Sequence, residues 1–225
     1  MKPPVRALVR VATVIAAVAA LGTAVIGVAH TPWGRPLLRL PLLSALAAHA
    51  GCPVGRIEPA AYEKVQATKL RGDLGERPAR SRPALGFTLG QTERAEVERW
   101  ASASGASCSA GFVASVLECA QPQAHVRLQF DASQRLISVD LFRDQGDATT
   151  LVGAFVATGQ ALDQQVGPAT RSVGTASVAD ATSSPFRTLL RQYSYRDYVA
   201  RLTLLNLGKR GLRLREQYSF VPPPA

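Results

Sequence analysis

Residues 212–220 read Leu-Arg-Leu-Arg-Glu-Gln-Tyr-Ser-Phe. In an extended chain, successive side chains point to opposite sides. One side carries all four apolar residues of this stretch: Leu212, Leu214, Tyr218 and Phe220. The other side carries Arg213, Arg215, Gln217 and Ser219. This alternation predicts a β-strand with one face in a core and one in solvent, and the fold must therefore supply a cover for the apolar face.

The segments just before this strand supply a partner and a cover. Residues 198–206 predict a second strand, and the two glycines within 206–211 predict a hairpin turn between the strands. Residues 147–166 predict a helix that ends at Gly167-Pro168 and has one apolar stripe: Leu151, Val152, Phe155, Leu162 and Val166. We predict an antiparallel hairpin with this helix packed on its apolar face, so that Leu214 is buried and Arg213 and Arg215 are exposed.

The preceding part of the chain follows the same order. Thr92 is predicted to cap a helix with Val97, Trp100 and Ala101 at helical spacing, and Gly105 ends it. Strands are predicted over residues 111–119, 125–131 and 135–142. In the later part, a further strand is predicted at 188–195. The predicted fold class is therefore α+β: one domain, residues 84–225, in which units 84–142 and 147–220 each contain one helix and three antiparallel strands.

Residues 86–92, Gly-Phe-Thr-Leu-Gly-Gln-Thr, resemble the beginning of the SmpA/OmlA-type (BamE-like) outer-membrane assembly lipoproteins. The arrangement in two successive units resembles β-lactamase-inhibitor-like tandem α/β modules. Both families are small α/β binding modules without catalysis, so the resemblance implies a fold of that kind and a binding role. The chain has no lipobox and no inhibitor loop that matches residue by residue, and no functional residue is carried over.

Residues 11–29 form an uncharged apolar stretch near the N-terminus. At about 1.5 Å per helical residue it spans roughly 28 Å, close to the thickness of a bilayer's hydrocarbon core. Three basic residues precede it and predict a cytoplasmic N-terminus: Lys2, Arg6 and Arg10. Residues 1–30 are therefore predicted to be a cytoplasmic tip and a single-pass inner-membrane anchor, with the bulk of the chain in the periplasm. A cleaved signal ending at residues 27–29 is the alternative, but the apolar stretch is longer than such signals usually have.

Residues 31–83 connect the predicted span to the predicted domain. They are rich in proline, glycine and charged residues. We interpret the apolar residues 37–50 as a juxtamembrane helix that lies along the membrane surface or packs onto the exported domain, and residues 51–83 as a linker with a helical piece at residues 60–67.

The chain has three cysteines: Cys52, Cys108 and Cys119. In an oxidising compartment Cys108 and Cys119 are predicted to form a disulfide worth about 3 kcal/mol by the chain-entropy estimate. Cys52 would then be free or joined to another chain. The alternative is an extracytoplasmic enzyme in which Cys119 is the nucleophile and His125 the base. The chain has only three histidines and no nucleophile elbow, phosphate loop or zinc-ligand spacing, and we predict no cofactor and no metal site.

The net charge of +10 allows contact with acidic lipid headgroups, acidic polysaccharide or nucleic acid. Eight basic residues lie between residues 187 and 215, and Arg201, Arg213 and Arg215 are predicted to share one outward sheet face. They are candidate binding residues for an anionic lipid or an envelope protein, and a solvated surface is the alternative. The predicted compartment makes nucleic acid an unsuitable partner. The sequence thus predicts a membrane-anchored extracytoplasmic module for binding or envelope assembly, without catalysis.

Overall fold

The structure is a computed structural model, and it describes residues 59–111, 113–144 and 146–222. The predicted membrane span at residues 11–29, the juxtamembrane helix and Cys52 lie outside these residues. Within the described ranges, no helix combines the length and the apolar composition needed to cross a membrane.

An eight-stranded antiparallel sheet forms the centre of the α+β fold. Its strands are β3 (Ser107–Ala110), β4 (Val116–Gln121), β5 (Ala124–Phe130), β6 (Leu136–Arg143), β7 (Arg171–Val173), β8 (Thr188–Ser194), β9 (Tyr198–Asn206) and β10 (Leu212–Phe220). Their spatial order is β3-β4-β5-β6-β10-β9-β8-β7. The chain therefore builds one half of the sheet inward from β3 to β6, and the other half inward from β7 to β10. The last strand of each half meets the other at the middle of the sheet.

Helices and a small hairpin accompany the sheet. They are α1 (Pro59–Leu70), α2 (Arg94–Ala103), α3 (Ala148–Val166), the short α4 (Val178–Ala181), and the hairpin of β1 (Pro83–Ala84) and β2 (Phe87–Thr88). Helix α3 contacts β9 and β10, and buried residues of α2 belong to the same core. We call the sheet face against this core the inner face, and the face that carries Arg127, Arg201 and Arg215 the outer face.

The predicted hairpin and its helical cover are confirmed. Strands β9 and β10 pair from Asn206 opposite Leu212 to Tyr198 opposite Phe220. All the predicted stripe residues of α3 are buried, and Leu214 has an exposed fraction of 0%. Arg213 is exposed as predicted. Arg215 is only partly exposed, because its side chain lies along the outer face against Asp140.

The prediction of one strand over residues 111–119 is wrong. Two strands, β3 and β4, occupy this region, and a turn joins them. The Gly111 amide donates to the Val116 carbonyl at 2.8 Å, and a Cβ at Gly111 would lie 2.8 Å from a Val116 methyl group. The turn therefore closes too tightly for any residue but glycine. With the short edge strands β3 and β7, each half of the sheet has four strands rather than the predicted three.

Thr92 is not the N-cap of helix α2. That position belongs to Glu93, and the helix begins at Arg94. The Thr92 hydroxyl is buried and accepts a hydrogen bond from the Thr88 amide at 3.1 Å, so it closes the turn after β2. Val97 and Ala101 are buried at the predicted spacing, and the Trp100 ring packs edge-on against Phe87.

Residues 73–82, which the sequence assigned to a linker, are hydrogen-bonded to the turn between β8 and β9. The Gly75 amide donates to the Tyr195 carbonyl, and the Arg196 amide donates to the Arg77 carbonyl. The Asp197 carboxylate accepts hydrogen bonds from the Ala79 amide and from the Arg82 guanidinium. This segment thereby carries the chain to the β1–β2 hairpin.

Candidate functional site

The predicted disulfide is present. Cys108 and Cys119 lie directly opposite each other on β3 and β4, and their sulfur atoms are bonded. Cys119 is buried on the inner face beside Val126. His125 is exposed on the outer face, since adjacent strand residues point to opposite sides. The structure therefore does not bring the Cys119 sulfur and the His125 ring together as a nucleophile and a base.

The three arginines predicted to bind an anionic partner lie on β9 and β10, and Arg201 and Arg215 both belong to the outer face. Each one is bonded to a carboxylate: Arg201 to Asp73 at 2.8 Å, Arg213 to Asp144 at 3.4 Å and Arg215 to Asp140 at 2.6 Å. The hydrogen bond with Asp140 raises the pKa of Arg215 above its ordinary value. Much of the positive charge that the sequence suggested for this strip is thus balanced locally, and its binding role stays a prediction.

A cleft of about 420 Å³ opens on the other side of the sheet. It lies between the β1–β2 hairpin, the C-terminal half of α3 and the central strands β6 and β10. Apolar walls come from Leu85, Phe87 and Leu162. The volume is within the range of small-molecule sites, which usually combine apolar walls with a few placed polar groups.

Glu216 is a buried carboxylate that lines this cleft. Its exposed fraction is 1%, because the alternation of β10 directs it to the inner face between Leu214 and Tyr218. A buried carboxylate needs hydrogen-bond donors to offset the loss of water. Tyr218 supplies a hydroxyl donor at 2.8 Å and Arg143 supplies its Nε at 3.0 Å. Burial, together with the adjacent carboxylate, raises the pKa of Tyr218, so that its hydroxyl keeps its proton at neutral pH.

Arg143 is a partly exposed charged residue that lines the cleft and could contact a ligand there. It is the last residue of β6, lies opposite Leu214, and its side chain is 36% exposed. Its Nε is held by Glu216, whereas its two terminal nitrogens have no acceptor among the described residues. A guanidinium has five N–H donors in a planar fork, so the edge turned away from Glu216 can still bind a second carboxylate or a phosphate.

Sequence reasoning missed both members of this pair. Glu216 lies on the apolar side of β10, and this position marks it as inward-facing. A carboxylate at an inward position of an alternating strand implies a buried donor nearby. The identity of that donor could not be inferred, because Arg143 lies 73 residues earlier in the chain.

The described ranges contain no group of three His, Cys, Asp or Glu side chains close enough together to hold a metal ion. Comparison of the chain with protein-family models, with curated proteins and with solved structures gave no match. The likeness of residues 86–92 to the SmpA/OmlA-type lipoproteins therefore stays a resemblance of a short segment.

Proposed function

We propose that this protein is a membrane-anchored extracytoplasmic binding module that takes a small organic anion in the cleft at Arg143. The single observation behind the ligand class is the pairing of Arg143 with the fully buried Glu216. Glu216 fixes one edge of the guanidinium and leaves the other edge to the cleft.

The proposed ligand has a carboxylate or phosphate group and an apolar body. The anionic group would accept two hydrogen bonds from the terminal nitrogens of Arg143, the geometry in which such pairs are strongest. The apolar body would lie against Leu85, Phe87 and Leu162. Thr158 and Gln165 of α3 also line the cleft and provide polar groups for orientation.

The anchoring and the compartment come from the sequence. The uncharged stretch at residues 11–29, with basic residues before it, supports an anchor whose following chain is exported. The disulfide between Cys108 and Cys119 supports an oxidising compartment. Two similar units, each of one helix followed by antiparallel strands, are part of the same proposal.

Ligand binding can be tested with benzoate as the probe and benzamide as its uncharged counterpart. The full chain in detergent micelles is titrated with each compound by calorimetry. Hydrogen bonds to charged groups are worth about 1.5–3 kcal/mol, so Arg143→Gln should weaken benzoate binding on the order of 10- to 100-fold. Benzamide should bind weakly to both proteins.

Arg127→Gln is the matched control for this titration. Arg127 is also a sheet arginine paired with a glutamate, Glu118, but it lies on the outer face. It should bind benzoate like the wild type. Equal benzoate affinity for wild type and Arg143→Gln, or equal affinity for benzoate and benzamide, would refute the proposed site.

The compartment and the anchor need a separate measurement. Intact mass and non-reducing peptide mapping of the protein from washed membranes should give a chain that keeps residues 1–30 and joins Cys108 to Cys119. A chain that starts at His30 would show a cleaved signal and a secreted protein. Reduced Cys108 and Cys119 in that preparation would contradict export.

A further inference from the structure

One end of the sheet carries two loops that are tied together by Asn206. The side-chain amide of Asn206 donates to the Ser184 carbonyl at 2.9 Å, and its side-chain oxygen accepts from the Gly208 amide at 2.9 Å. The Asn206 backbone carbonyl also accepts from the Phe186 amide at 2.8 Å. Loop 183–187 and turn 207–211 therefore form a single fixed surface. We call Phe186, Lys209 and Arg210 on this surface the Phe186 tip.

Phe186 is exposed in a way that folding alone does not favour. Its exposed fraction is 75%, well above the 50% of Val65 and the 38% of Val173. Its backbone φ is +63°, a left-handed conformation that costs free energy for a residue with a large side chain. A conformation that is strained and also presents an aromatic ring to solvent points to a contact made outside the chain.

The charges around Phe186 indicate the chemistry of that contact. Lys209 and Arg210 are exposed, and neither forms an ion pair with another described residue. Loop 183–187 and turn 207–211 contain no acidic residue. The remaining cation, Arg187, is already bonded to Asp180 at 2.7 Å. The tip therefore combines one exposed aromatic ring with two unpaired cations.

We propose that the Phe186 tip is a contact surface for an anionic lipid bilayer. The Phe186 ring would enter the boundary between headgroups and acyl chains, and Lys209 and Arg210 would lie at the level of the anionic headgroups. This contact rests on the proposed function, because an exported domain anchored by residues 11–29 is held next to a membrane. It is separate from the cleft at Arg143 and from the strip of paired arginines on β9 and β10.

The test places a fluorescent reporter at the tip of the full chain. Phe186→Trp is reconstituted into phosphatidylcholine vesicles with phosphatidylglycerol and brominated acyl chains, which quench tryptophan only on contact. The wild type, with Trp33 and Trp100, gives the background to subtract. Val173→Trp is the matched control, since Val173 is an exposed apolar residue on edge strand β7. Flotation of the vesicles first establishes that each chain is membrane-bound.

We expect most of the emission added by Phe186→Trp to be quenched, and that added by Val173→Trp to remain. Each cation near an anionic surface raises the affinity for that surface about five-fold. Adding Lys209→Gln and Arg210→Gln to Phe186→Trp should therefore restore the emission. Vesicles without phosphatidylglycerol should restore it as well. Quenching at position 186 no greater than at 173 in floating vesicles overturns the lipid contact alone. A blue shift without bromine quenching indicates a contact with protein and also overturns it. Failure to float refutes the anchor and the lipid contact together.

Discussion

At the level of single residues, substitutions of Leu214 and Arg213 test which side of strand β10 is buried. The two are adjacent in β10, but Leu214 is fully buried and Arg213 is exposed. Leu214→Ala should lower the free energy of unfolding by about 2–5 kcal/mol, because it removes buried methyl groups and leaves a cavity. Arg213→Ala should change it by less than about 1 kcal/mol, as expected for an exposed ion pair. Urea unfolding with the disulfide intact measures both, and equal midpoints for Leu214→Ala and wild type would contradict the register.

In the same strand, the sequence predicts which side chains are buried but not how a buried charge is stabilised. The alternation of apolar and polar residues correctly predicted the buried side of Leu212, Leu214 and Tyr218. It also assigns Glu216 to that side, but it did not predict that Arg143 and Tyr218 would donate hydrogen bonds to the buried carboxylate. A period of two assigns a face to each side chain but says nothing about how a charge on the buried face is satisfied. The cleft depends on that compensation, and so it was not foreseen.

At the scale of elements, the two glycines within helix α3 have different surroundings. A Cβ at Gly153 would meet nothing within 4 Å, whereas a Cβ at Gly159 would lie 2.4 Å from an Arg191 side-chain nitrogen. That arginine bonds Asp163 of the same helix at 2.6 Å. The Tyr193 hydroxyl lies 2.9 Å from both the Gly159 carbonyl oxygen and an Asp163 carboxylate oxygen, and these two acceptors share its one proton. Gly159 therefore makes room for an arginine that crosses the helix.

These surroundings predict opposite results for the same substitution. Gly153→Ala should stabilise the protein by about 0.5–1 kcal/mol, because alanine is the better helix former. Gly159→Ala should lose that gain and destabilise the protein, because the arginine must move away from Asp163. Thermal unfolding of both variants gives the comparison. An increase in melting temperature for Gly159→Ala equal to that for Gly153→Ala would show that the arginine moves without cost.

Elements with a long, regular pattern were predicted well. Helix α3 and strands β9 and β10 end within a residue or two of their predicted limits, since each repeats its pattern over nine or more residues. The short edge strand β3 was missed because its four residues, Ser-Cys-Ser-Ala, are all exposed and carry no alternation. What places β3 in the sheet is its pairing with β4, including the disulfide, and this is a tertiary effect.

At the scale of the whole molecule, the site depends on how the two halves of the sheet meet. Strand β6 pairs with β10, so that Val139 lies opposite Tyr218 and Arg143 opposite Leu214. No local pattern predicts a pairing between strands about 75 residues apart, because many antiparallel orders satisfy the same alternation. The segment at residues 73–82 then brings the β1–β2 hairpin over this junction. The cleft is therefore a property of the assembled sheet and hairpin.

Two carboxylates with lowered pKa values make the stability of the whole fold depend on pH in the acid range. Asp147 caps helix α3, and its pKa is lowered chiefly by the hydrogen bond from the Thr150 amide at 2.7 Å. Asp180 is bonded to Arg187 and to the Thr175 amide, and both hydrogen bonds lower its pKa, the first more strongly. For a carboxylate whose pKa is lower in the folded state, folding is favoured above the unfolded pKa of about 3.9. That contribution is lost as the pH falls through the folded pKa.

The melting temperature should therefore change little between about pH 7 and 5 on account of these groups, and should fall below about pH 4. Replacing both residues by asparagine, which can still cap helix α3 at position 147, should make the acid part of the curve less steep. Thermal unfolding followed by circular dichroism from pH 7 to 2 measures this, and identical slopes for the wild type and the Asp147→Asn/Asp180→Asn variant would mean that other carboxylates govern the acid transition.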